Sequence, residues 1–196
     1  PGCHATGFIA AVYPLIALGI IGKEYPLTAH SLTGYSGGGK AMIADYEAAD
    51  RPFLFDSPRQ YGLSQQHKHL PEMQHITGIA TPPVFCPIVG DYYSGMATCI
   101  PLISSLFEKK VTKTELLQLL KNYYQDAKLI HVSQEKSNFL AANPLQDTNE
   151  LTLYLEGNDE RMTLISVFDN LGKGASGAAV QNMNIVLGLE ESTGLL

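Results

Sequence analysis

The first candidate for covalent chemistry is Cys3, which lies in residues 1–7, PGCHATG. An apolar, helix-like run follows at once at residues 8–13. A cysteine at a helix N terminus faces free N–H groups and the positive end of the helix dipole, and both favour the reactive thiolate. Its small neighbours leave room for a substrate. We therefore predict a nucleophile at Cys3, with a small buried apolar side chain as the alternative.

The second candidate is the segment of residues 66–72, QHKHLPE. In an extended segment His67 and His69 point to opposite sides, so one can face a site while the other braces the loop. Pro71 suits the first turn of a helix running toward residue 79, which puts Glu72 where a carboxylate is favoured. The pattern is typical of acid/base chemistry. The alternatives are surface histidines and a zinc ligand pair, although no further His or Cys residues stand at metal spacing.

A glycine-rich segment, GYSGGGKA, covers residues 34–41. It matches the phosphate-loop pattern G-x-x-x-x-G-K, but Ala41 lacks the hydroxyl that would hold magnesium. Glycines still let the backbone approach a ligand closely. Ser36 and Lys40 could then contact an acyl phosphate or a cofactor, and a flexible loop is the alternative.

Two further pairs of polar residues are candidates for ligand binding. The guanidinium of Arg59 suits a carboxylate, so Arg59 and Tyr61 could bind a substrate carboxylate or amide, or be ordinary surface residues. Gln181 and Asn182 lie in a predicted last helix that begins near Gly174. They could offer amide contacts to a cofactor, or the helix could serve packing alone.

Hydrophobic periodicity outlines the elements that must position these residues. A first helix is predicted over residues 3–21, kinked or divided by Pro14. A capping box of Thr112 and Glu115 marks an amphipathic helix over residues 112–124. The remaining predicted elements are a short helix at residues 41–49 and strands at residues 25–33, 82–89, 92–102, 129–132, 151–156 and 161–168, the last two as a hairpin.

Short strands of antiparallel character mixed with helices predict an α+β fold. We expect a mixed, largely antiparallel sheet with helices on one face. An apolar face of such a sheet could pair with a copy of itself, which would make the chain a homo-oligomer.

The composition narrows the class of protein. Of the 196 residues 45% are hydrophobic and 16% charged, with a net charge of −6, so a packed core is expected. The chain has no basic stripe, which argues against nucleic acid as a partner, and no apolar run long enough for a membrane span. Three cysteines without metal spacing indicate reduced thiols in a cytoplasmic protein.

Four of these segments, in this order, resemble motifs of the N-acetyl-gamma-glutamyl-phosphate reductase family, in its shorter variety. They are PGCHATG at residues 1–7, GYSGGGK at 34–40, HKHLPE at 67–72 and KGASGAAVQN at 173–182. The resemblance implies a C-terminal domain like that of glyceraldehyde-phosphate dehydrogenase. Residues 1–172 would form a catalytic, substrate-binding and dimerisation domain. Residues 173–196 would form a C-terminal helix that packs on a nucleotide-binding domain.

The resemblance also implies a reaction. The family reduces N-acetyl-glutamyl 5-phosphate with NADPH, in arginine biosynthesis, to N-acetyl-glutamate 5-semialdehyde and phosphate. Cys3 would be the nucleophile that forms a thioester. His69 would be the acid/base, oriented by Glu72. His67 would be the alternative acid/base or a substrate contact.

The binding roles follow from the same resemblance. Ser36, Lys40, Arg59 and Tyr61 would bind substrate, and Ser36, Gly37, Gln181 and Asn182 the NADP cofactor, with no metal. His4 stands where tyrosine is common in the family, and could add a third histidine near the thiolate.

In this family a doubly wound nucleotide-binding domain precedes the cysteine, and we expect residues 1–196 not to contain it. We therefore expect the isolated chain to be inactive. The alternative functions are a non-catalytic oligomerisation or binding domain, and another semialdehyde dehydrogenase of the aspartate-semialdehyde type.

Overall fold

The computed structural model describes residues 1–135 and 138–196. Five α-helices are found in these residues: α1 (Cys3–Ala17), α2 (Gly39–Glu47), α3 (Leu70–Thr77), α4 (Lys113–Tyr123) and α5 (Gly177–Val186). The strands are β1 (Thr28–Gly34), β2 (Arg59–Gln60), β3 (Val84–Gly90), β4 (Met96–Ile103), β5 (Ile130–Val132), β6 (Leu151–Gly157) and β7 (Arg161–Phe168).

The seven strands form one sheet in the order β2-β3-β1-β4-β7-β6-β5. The β1–β3 and β5–β6 pairs are parallel, and the other four pairs are antiparallel. The predicted α+β class and the mixed, largely antiparallel sheet are confirmed. The predicted hairpin is also confirmed, as β6 and β7.

One face of the sheet carries the hydrophobic core. Side chains at alternate strand positions are buried there against α1, α3 and α4, as the period of two along a strand requires. The central helix α1 is buried along most of its length and lies on β4 and β7. This contact fixes the position of the α1 N terminus, where Cys3 lies.

The other face of the sheet is less covered. A row of register partners on this face runs Cys86, His30, Cys99, Ile165 and Tyr154 across five strands. The next row includes Ile88, Leu32 and Ala97. None of these eight side chains carries a carboxylate, an ammonium or a guanidinium group.

The helix α1 is shorter than predicted, and Pro14 does not divide it. The helix continues through this residue and ends at Ala17, not at residue 21. A proline has no N–H to donate to the carbonyl four residues earlier, which is that of Ala10. The Tyr124 hydroxyl, at the end of α4, donates to that carbonyl at 2.8 Å. A hydrogen bond from another helix therefore replaces the one that the proline removes.

Other boundaries shift by a few residues, and the helix predicted within residues 173–196 covers only Gly177–Val186. The strand predicted from residue 25 begins at Thr28, and the strand predicted from residue 92 begins at Met96. The carbonyl groups of Tyr92 and Tyr93 instead accept from the N–H groups of Tyr35 and Ser36, so this turn holds the glycine-rich segment. The helix α4 has the predicted capping box. No described helix is long and apolar enough to cross a membrane.

Candidate active site

Residues far apart in the sequence line one cavity of about 510 Å³. It lies between the N terminus of α1, the turn after β1, the segment before α3 and the segment after β7. Its lining includes Cys3, His4, Thr33, Ser36, Gly37, Tyr61, His67, Lys68, His69, Asn170 and Gly174. The residues predicted as nucleophile and acid/base therefore share one cavity.

Two glycines allow the close packing around Cys3. A Cβ atom on Gly2 would lie 2.0 Å from Nε2 of His69, and one on Gly174 would lie 2.8 Å from the Cβ of Cys3. Non-bonded contacts this short to a Cβ atom do not occur in real proteins, so a side chain at Gly2 would displace the His69 imidazole and one at Gly174 would displace Cys3. Gly2 thus leaves room for His69, and Gly174 leaves room for Cys3 itself.

The protonation of Cys3 differs from the sequence-based expectation. The helix N terminus was expected to favour the thiolate, but burial raises the pKa of the Cys3 thiol. The N–H group of His4 and the charge of Lys68 act in the opposite direction and are outweighed. The reason is desolvation: water is removed from the sulfur, and this disfavours its charged form. The thiol therefore needs a base nearby.

His69 is the imidazole packed against Gly2, the residue next to Cys3. It is buried, and among the described residues its Nδ1 has no hydrogen-bond partner. Burial, with the neighbouring His67, lowers the pKa of His69 to about 4. The ring is neutral at pH 7 and can accept a proton.

His67 lies beside His69, with ring centroids 4.8 Å apart. The Nδ1 of His67 accepts a hydrogen bond from the N–H of His69 at 3.2 Å, so a neutral His67 carries its proton on Nε2. Burial and the charge of Lys68 lower its pKa. His67 thus supports the backbone of His69. The two rings lie together and both line the cavity, so the prediction that they point to opposite sides is wrong; the backbone at His69 is helical, not extended.

Glu72 holds the start of α1. Its Oε2 accepts a hydrogen bond from the N–H of Gly2 at 2.7 Å, and its charge acts on His69 by raising the pKa against the effect of burial. The structure therefore gives Glu72 an electrostatic link to His69 and a direct contact with the residue before Cys3.

His4 is a third histidine at this site. Its ring centroid lies 5.5 Å from that of His67 and 5.6 Å from that of His69. Its Nδ1 is 2.7 Å from the Ser31 hydroxyl, and its Nε2 is 2.6 Å from the Tyr61 hydroxyl. Burial, with the two other histidines and Lys68, lowers the pKa of His4 to about 3.

Ser36 and Gly37 line the cavity from the turn after β1. The Ser36 hydroxyl accepts from Nδ2 of Asn170 at 3.0 Å, and Oδ1 of Asn170 accepts from the N–H of Gly95 at 2.8 Å. Sequence reasoning missed Asn170. The only available signal was its place directly after the β7 strand.

Two predicted substrate ligands lie outside the lining of this cavity. Lys40 is exposed in the first turn of α2. The guanidinium of Arg59 stacks 3.6 Å from the Phe55 ring centroid, and its Nε donates to the Tyr46 hydroxyl at 3.2 Å. Their roles in substrate binding remain predictions, whereas Tyr61 does line the cavity.

Gln181 and Asn182 line a neighbouring cavity of about 320 Å³. Both amides already have partners in the chain. Gln181 accepts from Nζ of Lys173 at 2.6 Å and donates to Glu191 at 2.9 Å, and Asn182 donates to the carbonyl of Ala178 at 2.9 Å. Contact with a cofactor would require these bonds to be shared or exchanged.

Metal chemistry has no ready site in residues 1–135 and 138–196. No group of three or more His, Cys, Asp or Glu side chains in them could hold a metal ion. The three cysteines are free thiols. The thiol of Cys3 is partly buried and shares its cavity with the imidazoles of His4, His67 and His69.

Most of the chain matches a known protein family. The family described as semialdehyde dehydrogenase, dimerisation domain, matches residues 3–170. The chain is 42% identical to N-acetyl-gamma-glutamyl-phosphate reductase 2 from Nostoc sp., over all of this chain and 65% of that protein. It is 41% identical to a protein of the same name from Pseudomonas putida, over 99% of this chain and 64% of that protein. The chain thus spans less than two thirds of the length of these relatives.

Solved structures give the same fold. The chain is similar to aspartate semialdehyde dehydrogenase II from Vibrio cholerae, with a TM-score of 0.72, 15% identity and coverage of 95% of this chain and 61% of that one. An aspartate semialdehyde dehydrogenase from Francisella tularensis gives a TM-score of 0.70 at 13% identity. At such low identity the likeness concerns the fold alone.

Proposed function

Because the chain belongs to the semialdehyde dehydrogenase dimerisation-domain family, we propose that it is the catalytic and dimerisation part of an N-acetyl-gamma-glutamyl-phosphate reductase of arginine biosynthesis, in the cytoplasm. The names of its relatives support this substrate. The observation that carries the proposal is the convergence of Cys3, His67 and His69 in one cavity.

Thioester formation begins with removal of the Cys3 proton. Burial keeps Cys3 largely as a thiol, and the neutral imidazole of His69 takes its proton. The sulfur then bonds to the acyl carbon of N-acetyl-glutamyl 5-phosphate, and the carbon–oxygen bond to phosphate breaks. The products of this step are a Cys3 thioester, inorganic phosphate and protonated His69.

His69 also serves in the proton transfers that follow reduction of the thioester. The imidazolium formed in the first step can donate its proton to the oxygen of the reduced acyl group. As a neutral base it later accepts the proton from that oxygen when the aldehyde leaves the sulfur. His67 supports the ring of His69 through the backbone contact described above.

NADPH, when bound, supplies the hydride that reduces the thioester. Ser36 and Gly37 line the cavity with Cys3 and would hold its nicotinamide end, with Gln181 and Asn182 on the adjoining side. The described residues contain one sheet, with helices α1, α3 and α4 in its core, and no doubly wound nucleotide-binding domain. We therefore expect reduction to require a longer protein than these 196 residues.

Site-directed variants of the full-length enzyme test the assignment. His69→Asn is expected to lower kcat by about 10²–10⁴-fold, the usual contribution of a positioned proton-transfer group. Cys3→Ser is expected to abolish thioester formation. His67→Asn serves as the matched control and should act mainly on KM. A larger loss of kcat in His67→Asn than in His69→Asn would reverse the assignment.

The uncovered sheet face favours a second role, self-association. The face formed by β3, β1 and β4 presents Leu32, Cys86, Ile88 and Cys99 without a charged group among them. An uncharged apolar face of this kind is typical of an interface between subunits. We propose that two copies of the chain pair through it, so that assembly and catalysis use opposite faces of one sheet.

A further inference from the structure

A chain of hydrogen-bonding side chains runs from the middle of the sheet to the cavity. The Thr98 and Ser31 hydroxyls are 2.8 Å apart, Ser31 is 2.7 Å from Nδ1 of His4, and Nε2 of His4 is 2.6 Å from the Tyr61 hydroxyl. Thr98 and Ser31 are fully buried and His4 is 2% exposed. His4 and Tyr61 line the cavity with Cys3 and His69, and Tyr61 ends the network there.

Each hydroxyl and the neutral imidazole brings one proton, so the bonds can be arranged in two directions. If Tyr61 donates to His4, then His4 donates to Ser31 and Ser31 donates to Thr98. The Thr98 proton then has no acceptor, because Ser31 is the only partner of that hydroxyl among the described residues. A buried donor without a partner is costly, since its hydration is lost without replacement.

The opposite direction satisfies every buried proton. Thr98 donates to Ser31, Ser31 donates to Nδ1 of His4, and the Nε2–H of His4 donates to the oxygen of Tyr61. The Tyr61 proton is then left without a partner in the network, on a side chain that lines the cavity. The buried hydroxyl of Thr98 thus fixes the direction of the hydrogen bond between His4 and Tyr61.

Both members of the last bond are neutral at pH 7. Burial and the nearby His69, His67 and Lys68 lower the pKa of His4 to about 3. Burial and the nearby Cys3 raise the pKa of Tyr61. Tyr61 therefore keeps its proton and acts as a hydrogen-bond donor, not as a base.

We propose that His4 is a positioning residue that turns the Tyr61 hydroxyl proton into the cavity, where Tyr61 donates a hydrogen bond to the oxygen of the acyl group attached to Cys3. The inference rests on the function proposed above and adds a residue to it. Negative charge grows on that oxygen when sulfur adds to the acyl carbon, and a donor already aimed at it stabilises the transition state. The proton stays on Tyr61 throughout.

The tautomer of His4 is a direct test that needs no measurement of activity. In full-length enzyme labelled with ¹⁵N-histidine, the ring nitrogen shifts report which nitrogen carries the proton. We expect the Nε2–H form at pH 7, with the signal assigned by its loss in His4→Gln. A proton on Nδ1 would mean that Tyr61 points its proton at His4, and would overturn the proposal.

Kinetics of the full-length enzyme provide the second test. Tyr61→Phe is expected to lower kcat by about 10²–10³-fold, as for loss of one donor to a developing oxyanion, with little change in KM. His4→Leu should cause a similar loss, and the double variant should be no worse than either single variant, because residues of one network are not additive. His4→Gln should restore much of the rate, since an amide can accept from Ser31 and donate to Tyr61.

The outcomes separate the two proposals. A wild-type enzyme that does not reduce the acyl phosphate contradicts the proposed function, whatever the tautomer of His4. An active wild type in which Tyr61→Phe keeps its kcat, or in which the His4→Leu and Tyr61→Phe losses multiply, contradicts the inference alone.

Discussion

Burial controls the ionisation of every reactive group around Cys3. The thiol pKa is raised, and those of His4, His67 and His69 are lowered. All four groups are neutral at pH 7 as a result. The free protein therefore holds a protonated thiol in the same cavity as neutral imidazoles. In the proposed mechanism, an ion pair forms when the Cys3 proton moves to His69.

The lowered histidine pKa values predict loss of stability in acid. Below about pH 6.5 the unfolded chain binds a proton at His4, whereas the folded protein does so only near pH 3. The unfolded state then binds more protons, so the free energy of unfolding falls as the pH drops from 6.5 toward 4. Urea unfolding of wild type and His4→Gln at pH 7 and pH 5 measures this. The pH effect should be smaller in the variant.

A matched control uses an exposed histidine. His75 lies exposed on α3, and His75→Gln should leave the difference between the two pH values as in the wild type. Equal pH dependence in His4→Gln and wild type would show that His4 is not held neutral in the fold.

The helices α1 and α5 differ in how much of their surface is buried. The helix α1 is enclosed by the sheet, α3 and the end of α4, and even the carbonyl freed by Pro14 has a partner there. The helix α5 is the opposite case. Met183, Ile185 and Val186 are all more than half exposed on it. These apolar side chains fit the prediction that residues 173–196 pack on a nucleotide-binding domain.

That prediction can be tested on α5 itself. Val186 is 84% exposed, so Val186→Ser should change the stability of the 196-residue chain by no more than about 0.5 kcal/mol. In the full-length protein the same change should cost about 1.5–3 kcal/mol, the value of a buried aliphatic side chain. Thermal unfolding of both proteins gives the comparison.

Leu116→Ala in α4 is the control for this experiment. Leu116 is fully buried, and its truncation should cost about 2–5 kcal/mol in both proteins. An equally small effect of Val186→Ser in the two proteins would contradict docking of α5 on another domain.

The sheet separates the two proposed roles of the molecule. Thr98 and Ser31 point to the helix side and belong to the hydrogen-bond chain that ends at Tyr61. Their strand neighbours Leu32, Ala97 and Cys99 point to the opposite side, because successive side chains alternate. The same two strands therefore support the cavity on one side and offer an interface on the other.

If two copies pair through this face, a substitution that disrupts it should lower the mass of the particle in solution from that of a dimer to that of a monomer. Leu32 is 38% exposed on it, and Leu32→Glu would place like charges against each other across a two-fold axis. We expect the variant to be monomeric by sedimentation at concentrations where the wild type is a dimer. Ile76→Glu, at a 40% exposed site on α3, should leave the dimer intact. A dimeric Leu32→Glu protein would exclude this face.

Local patterns in the sequence were sufficient for much of the fold. The start of α1 at Cys3, the capping box of α4 and the β6–β7 hairpin were all predicted, because each depends on residues a few positions apart. The predicted segments around Cys3, Ser36 and His69 also meet in one cavity. Resemblance to a family, rather than spacing, suggested that they act together.

Only the tertiary structure decided how the site is ionised and oriented. The rise in the Cys3 pKa, the contact of Glu72 with Gly2 and the enclosure of Pro14 all depend on elements distant in the sequence. The same holds for His4, whose tautomer is set by Thr98 across the sheet. Desolvation and hydrogen-bond direction are sums over everything packed around a group, and a linear pattern of residue types does not contain that sum.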